Sequence, residues 1–252
     1  MSGAAAPASE VDSIGRGIIP MHSSSNVRGL IVTIDGPAGT GKSSVARDLA
    51  AELKLEFLDT GAMYRAATAL ALDRGADLSD EEAVAELVRQ SDMRFDWASD
   101  PPTLYVFDRA MTARLRDADV TRTVSPVSQL AAVRRVLVQM QRRIGEIHPR
   151  LVTEGRDQGS VVFHDADVKI FLDAAASVRA KRRADQLRAA GQHADEAAIE
   201  RELIERDRRD STRAVGPLVC PPGAIRVDTS GLTQPQVVAE LARLVRRETG
   251  EG

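Results

Sequence analysis

One cysteine, Cys220, stands in a chain of 252 residues, so no intrachain disulfide can form and no CxxC pair exists to hold zinc. That usage fits the reducing cytoplasm. No apolar run approaches the roughly 18 to 20 residues that a membrane span needs. An excess of charge of one sign is also missing: 34 basic residues against 37 acidic ones leave a formal charge of -3. Such a balance gives no general drive toward nucleic acid or an anionic membrane, and the sequence has no segment resembling an RRM or KH signature. Any anion site must therefore be local. What is present, 43% hydrophobic and 28% charged residues, is the composition of a globular protein, and the length suits one α/β domain carrying small insertions.

Residues 1–28 are rich in Ala, Ser, Gly and Pro and have neither a long apolar stretch nor a sustained helical period. They read as a flexible leader, and Met21 is a second candidate for the translation start. From residue 29 on, short β-branched runs alternate with amphipathic helices, the pattern of a parallel sheet covered on both faces. The candidate core strands are Leu30–Asp35, Glu56–Asp59, Leu151–Thr153, Val168–Leu172 and Ile225–Asp228. Val45, Leu49 and Leu53 share one helical face. Ser79 with Glu82, and Thr233 with Gln236, read as capping boxes. MRFDW, TLYVF and AMTARL, residues 93–115, read as short antiparallel strands joined by the turn signal SDPP, an insertion whose few aromatics would form its own small core.

The segment Gly36–Ser43, GPAGTGKS, satisfies G-x-x-x-x-G-K-[ST] and lies between a strand and a helix, as its mechanism requires. Glycines 36, 39 and 41 let the backbone turn its N–H groups toward phosphate oxygens, and the helix that follows adds its positive end. Gly36, Pro37, Ala38, Gly39, Thr40, Gly41, Lys42, Ser43 and Ser44 are thus candidate ATP contacts. Lys42 would reach the β- and γ-phosphates, and the Ser43 hydroxyl would join the coordination of Mg²⁺.

A P-loop serves GTPases, motors and small-molecule kinases alike. The chain has no NKxD-like guanine reader and no clear second-strand Asp after a long hydrophobic run. It does have clustered arginines: Arg65, Arg134, Arg156, Arg182, Arg183, Arg206, Arg209 and Arg213. When the acceptor of a phosphoryl group is itself a phosphate, no strong base is required and the obstacle is charge, which arginines relieve. Arg156 and Asp157 follow one predicted strand, and Asp59 and Thr60 another, at the carboxyl edge where α/β sheets bind ligands.

These segments, IDGPAGTGKSS, LDTGAMYRA, EGRDQGSVVFHDADVKIFLDA and RDRRDSTRAVGPL, resemble the ordered blocks of the bacterial cytidylate kinases from Leu30 to Glu248. The resemblance implies a P-loop core at residues 29–61 and 126–252, an inserted nucleoside-monophosphate-binding subdomain at about 62–125, and a short lid at about 178–192. It implies ATP and CMP or dCMP as substrates of a monomer, with no nucleic-acid or membrane partner. By the same resemblance Asp59, Thr60, Tyr64, Arg65, Ser125, Arg134, Arg156, Asp157, Arg206, Asp210 and Arg213 would surround CMP. Arg156 and Arg213 would hold its phosphate, Asp210 its sugar, and Ser125, Arg134 and Asp157 its base. Lys42, Arg156, Arg182 and Arg183 would act on the transferring phosphoryl group. Two positions depart from the family pattern: Gln158 stands where an apolar residue is usual, and His164 replaces a loop proline. His164 is expected to be exposed and is given no role. Other acceptors of the same core, AMP, UMP or a non-nucleotide, remain open at this point.

Overall fold

The computed structural model describes residues 29–250; the leader at 1–28 and Met21 lie outside them. The chain runs β1 (Leu30–Asp35), α1 (Lys42–Leu53), β2 (Glu56–Asp59), α2 (Thr60–Asp73), α3 (Glu81–Arg89), β3 (Arg94–Asp96), β4 (Thr103–Val106), β5 (Arg109–Ala110), α4 (Ala118–Val127), α5 (Ala131–Ile147), β6 (Arg150–Gly155), β7 (Val168–Asp173), α6 (Ala176–Ala189), α7 (Glu196–Thr212), β8 (Ile225–Asp228) and α8 (Gln234–Thr249). β2, β6, β1, β7 and β8 lie side by side in that order as a five-stranded parallel sheet. All five strands expected from sequence are present.

β1 reads LIVTID because it is central and buried on both faces, where continuous apolar character replaces alternation. One hydrophobic cluster joins Val32, Ile34, Val45, Leu49 and Leu241, packing α1 and α8 on one face of the sheet. The other joins Leu58, Leu151 and Phe163 of the sheet side with Met63, Leu70, Val88, Leu104, Val133 and Leu137. Fully burying one such aliphatic side chain contributes about 1.5–3 kcal/mol, so the two layers fix the strand ends at which Asp35, Asp59 and Gly155 stand. Among the described residues no helix is long and apolar enough to cross a membrane.

The second cluster corrects one expectation. The inserted segment has no separate core, since Leu104, Val106 and Met111 pack in the same cluster as Leu58 and Leu151 of the sheet. Trp97 reaches further still and stacks on His148 just before β6, ring centroids 4.1 Å apart, while His148 Nδ1 lies 2.8 Å from Glu56 Oε2 on β2. β3, β4 and β5 do form a small antiparallel sheet, but AMTARL supplies only its first residue to a strand and then turns into a single 3₁₀ turn at Arg114–Arg116.

The capping box of Ser79 and Glu82 is also not formed. Asp80 caps α3, its carboxylate accepting from Ala83 N at 3.0 Å, because Asp77 captures the Ser79 hydroxyl at 2.7 Å. The box of Thr233 and Gln236 does form on α8.

Candidate functional site

Gly36–Ser43 bridges β1 and α1 at the carboxyl edge of the sheet. Gly41 caps α1 in the left-handed region at φ 89°, and a side chain on Gly36, at φ 149°, would run into the Leu172 carbonyl of β7. The turn therefore needs glycine there. Lys42 folds back, donating from Nζ to Pro37 O at 2.7 Å, with Thr40 Oγ1 at 3.4 Å. Burial, then the nearby Arg156, push the Lys42 ammonium down to about 7. Ser44 is half-buried in the first turn of α1.

Ser43 Oγ donates to Glu154 Oε1 at 2.6 Å. Glu154, next to last in β6, stands beside Asp59 at the end of β2, its partner in the strand register. Burial first, and then the Glu154 carboxylate, raise Asp59 to about 7. Thr60 Oγ1 donates to Glu154 O at 2.6 Å. Glu154 escapes sequence reasoning because the signal to look for is an Asp after a long hydrophobic run. The run before it is only Leu151–Thr153, and the acid that follows is a Glu.

On the far side of Lys42 lies a group of arginines. Arg156 Nε donates to Asp210 Oδ2 at 2.9 Å. Burial opposes the Asp210 charge, but Arg156, Arg206 and Arg213 outweigh it and hold the carboxyl below its usual range. Arg206 is pushed down to about 10 by burial and then by Arg156. Arg65 donates to Leu115 O and Thr121 Oγ1 and is lowered by burial, with Arg183 and Arg116 adding repulsion. Arg183 itself is exposed on α6.

Deeper in, Arg134 is 1% exposed. It pairs through NH2 with Asp157 Oδ2, donates from NH1 to Ser128 O, and lies with its guanidinium carbon 5.3 Å from the centre of the Tyr64 ring. Arg213 donates from Nε to Gly216 O and sits 3.6 Å from Asp157 Oδ1. Arg134 Nε and Arg213 NH2 have no hydrogen-bond acceptor. Burial lifts the Tyr64 hydroxyl to about 12, so it stays a neutral donor. Ser125 Oγ lies at the rim, 3.4 Å from Arg209 NH1.

Two supports were not legible. Asp35, at the end of β1, accepts from Gln158 N at 2.8 Å and Gly159 N at 2.7 Å, holding the turn after Arg156 and Asp157. Asp207 and Arg179 both bond to Ala38 in the P-loop; they sat unremarked among many charged residues on amphipathic helices. The polar Gln158 is accommodated: it is buried, accepts from Thr153 Oγ1 at 2.9 Å and donates to Gln141 Oε1 at 3.1 Å. His164 is exposed, as expected.

Most of the expected residues therefore converge on one edge. Arg182 does not join them: its guanidinium donates to Thr229 Oγ1, Thr229 O and Leu232 O, in the loop after β8. The span expected to form a lid, about 178–192, is the body of α6 and the start of its connection to α7.

A family model described as cytidylate kinase matches residues 32–247. A cytidylate kinase of Mycobacterium avium (strain 104) is 44% identical over 220 residues, covering 87% of this chain and 96% of that protein. One from Mycobacterium leprae (strain Br4923) is 45% identical, covering 88% and 97%. A bifunctional pantoate ligase/cytidylate kinase of Synechococcus sp. (strain JA-3-3Ab) is 44% identical over 86% of this chain, which spans 41% of that longer protein.

Proposed function

This chain belongs to the cytidylate kinase family, and on that premise we propose that it transfers the γ-phosphoryl group of ATP to CMP or dCMP, giving ADP and CDP or dCDP. The observation that carries this reading is the buried cationic cluster of Lys42, Arg156 and Arg206 beside the P-loop, in which Arg156, itself held charged against burial by Asp210 and Glu154, makes the charges on Lys42 and Arg206 harder to hold. Such a cluster is complementary to the converging phosphates of two nucleotides, and the exclusion of water strengthens each interaction.

The P-loop amides and Lys42 hold the donor phosphates. Lys42 must leave the Pro37 carbonyl to reach them, a change of partner within one turn of backbone. Mg²⁺ fits the hard oxygen donors here: Ser43 Oγ, already paired with Glu154, and the neighbouring Asp59 carboxylate. When bound, the ion would neutralise charge on the donor phosphates. Ser43 would hold it, with Glu154 and Asp59 beside it.

Arg156, Arg206 and Arg213 receive the acceptor phosphate, with Asp210 keeping Arg156 in place and available to the sugar hydroxyls. The acceptor oxygen is already anionic, so positioning rather than proton removal drives the reaction. Arg134 and Asp157 form a donor and acceptor pair suited to the O2/N3 and N4 edge of cytosine, whose polarity at position 4 uracil reverses. Tyr64 forms a wall beside them. Arg183, on the expected lid, closes on the transferring group, whereas Arg182 acts by tying α6 to the loop after β8.

A steady-state panel of CMP, dCMP, UMP and AMP as acceptors with ATP and Mg²⁺ tests this. The cytosine nucleotides should give the highest kcat/KM, and a preference for AMP or UMP would overturn it.

A further inference from the structure

Both polar ends of the Ala38 peptide region are held by side chains from outside the P-loop. The Ala38 N–H donates to Asp207 Oδ1 at 2.9 Å, and its carbonyl accepts from Arg179 NH1 at 2.7 Å. The two side chains hold each other, Arg179 NH1 lying 2.6 Å from Asp207 Oδ2, and Arg179 Nε is fixed on Ala174 O at 2.9 Å after β7. Arg179 is buried, and a Cβ placed on Gly39 would meet Arg179 Cβ at 3.3 Å and the Leu203 methyls at 3.5 Å. The tip of the P-loop is therefore gripped between α6 and α7.

The same α7 carries Arg206 and Asp210, one residue before and three residues after Asp207, with Arg213 at its end. Asp210 holds Arg156. One rigid helix thus presents Asp207 to the donor cradle and Arg206, Asp210 and Arg213 to the acceptor side. Charge-assisted hydrogen bonds of this kind are short and directional, so the orientation of the Ala38 peptide follows the position of α7. A ligand that fixes α7 also fixes the cradle, and the resulting coupling is reciprocal.

We propose that Asp207 and Arg179 are positioning residues for the phosphate cradle, and that through α7 they make acceptor binding tighten ATP binding. The second half rests on the assignment of CMP to the acceptor side; the first half does not.

Calorimetric titration with the β,γ-imido analogue of ATP and Mg²⁺, with and without saturating CMP, tests both. Wild type should bind the analogue severalfold more tightly when CMP is present. Asp207→Ala should weaken the analogue on the order of tenfold without CMP, the usual cost of a hydrogen bond to a charged group, and should abolish the enhancement. CMP affinity measured alone should change much less than that of the analogue, since Asp207 acts on Arg156 and Arg206 only through space. Asp207→Asn, which keeps the shape of the grip, should lie between and covers the case in which the alanine variant does not fold; Arg179→Lys, which keeps the charge but cannot reach Ala38 O and Ala174 O together, should weaken the analogue as Asp207→Ala does. Wild-type affinity and enhancement in all folded variants would overturn the proposal. So would equal losses of analogue and CMP affinity, which mark a general structural role. If wild type turns over no CMP, the functional reading fails, while the analogue affinities still decide the role of Asp207.

Discussion

Lys42 in this structure is held against a carbonyl, where burial, Arg156 and Arg206 outweigh the support of Glu154 and Asp35, an arrangement that a bound polyanion would relax. Replacing it by Ala removes no core contact and should lower kcat about 10²–10³-fold, the scale of losing one donor aimed at a transition state; circular dichroism should show an unaltered fold. Arg should fail to rescue, since its broad planar head cannot take the place of a compact ammonium in the turn. Asp157 poses a different test. It is buried against Arg134 and Arg213, so Asp157→Ala would strand charge and confuse stability with recognition. Asp157→Asn keeps the shape. It should leave the KM for ATP unchanged and lower the CMP-to-UMP ratio of kcat/KM on the order of tenfold, because a polar group left unpaired in a base pocket costs about 1–3 kcal/mol. An unchanged ratio would assign Asp157 to holding the arginines alone.

At the level of elements, α6 and α7 form a helical pair whose connection, residues 190–195, is exposed for most of its length. If this pair closes over the phosphates, hydrogen exchange of residues 180–191 should slow most when CMP and a non-hydrolysable ATP analogue are both present; exchange indifferent to both ligands would count against closure. The insertion is tied down elsewhere, by Trp97 on His148. Trp97→Ala should destabilise by about 1–3 kcal/mol in urea denaturation, from lost stacking and burial, while kcat with saturating ATP and CMP changes little. The sheet was legible in the sequence because each central strand is a short apolar run, rich in Val, Ile and Leu, that ends on an acid or a glycine. The insertion was legible only as short strands. Its burial against Leu58 and Leu151 depends on partners about 50 residues apart, which no local periodicity records. The same limit hid Glu154, Arg179 and Asp207: their types are common on surfaces, and only the crossing of β6 with α1, and of α6 and α7 with the P-loop, gives them partners. Gly36–Ser43 was legible because one contiguous segment holds the whole cradle.

For the molecule as a whole, the buried Asp35 sets a pH dependence. Desolvation raises its carboxyl from the ordinary 3.8 to about 6, against the two amides that lower it. Between those values the folded chain holds a proton that the unfolded chain has released, so this contribution to stability is full below about pH 4 and is lost as pH rises through about 6. Asp35→Asn cannot titrate. The Tm of wild type relative to Asp35→Asn should therefore fall between pH 4 and pH 7, and a constant difference would show that Asp35 ionises normally. A further consequence lies in the order of the strands. The central strand β1 pairs with β6, Leu30 opposite Arg150, and then with β7, Val32 opposite Val168. About 120 residues must be made after β1 before its first neighbour exists, and at roughly 5–20 residues per second that is about 6–24 s of synthesis. Throughout that interval the apolar segment LIVTID has no ladder partner on the nascent chain, so the vulnerable stage in this protein's life is its translation, when a chaperone has the most to shield.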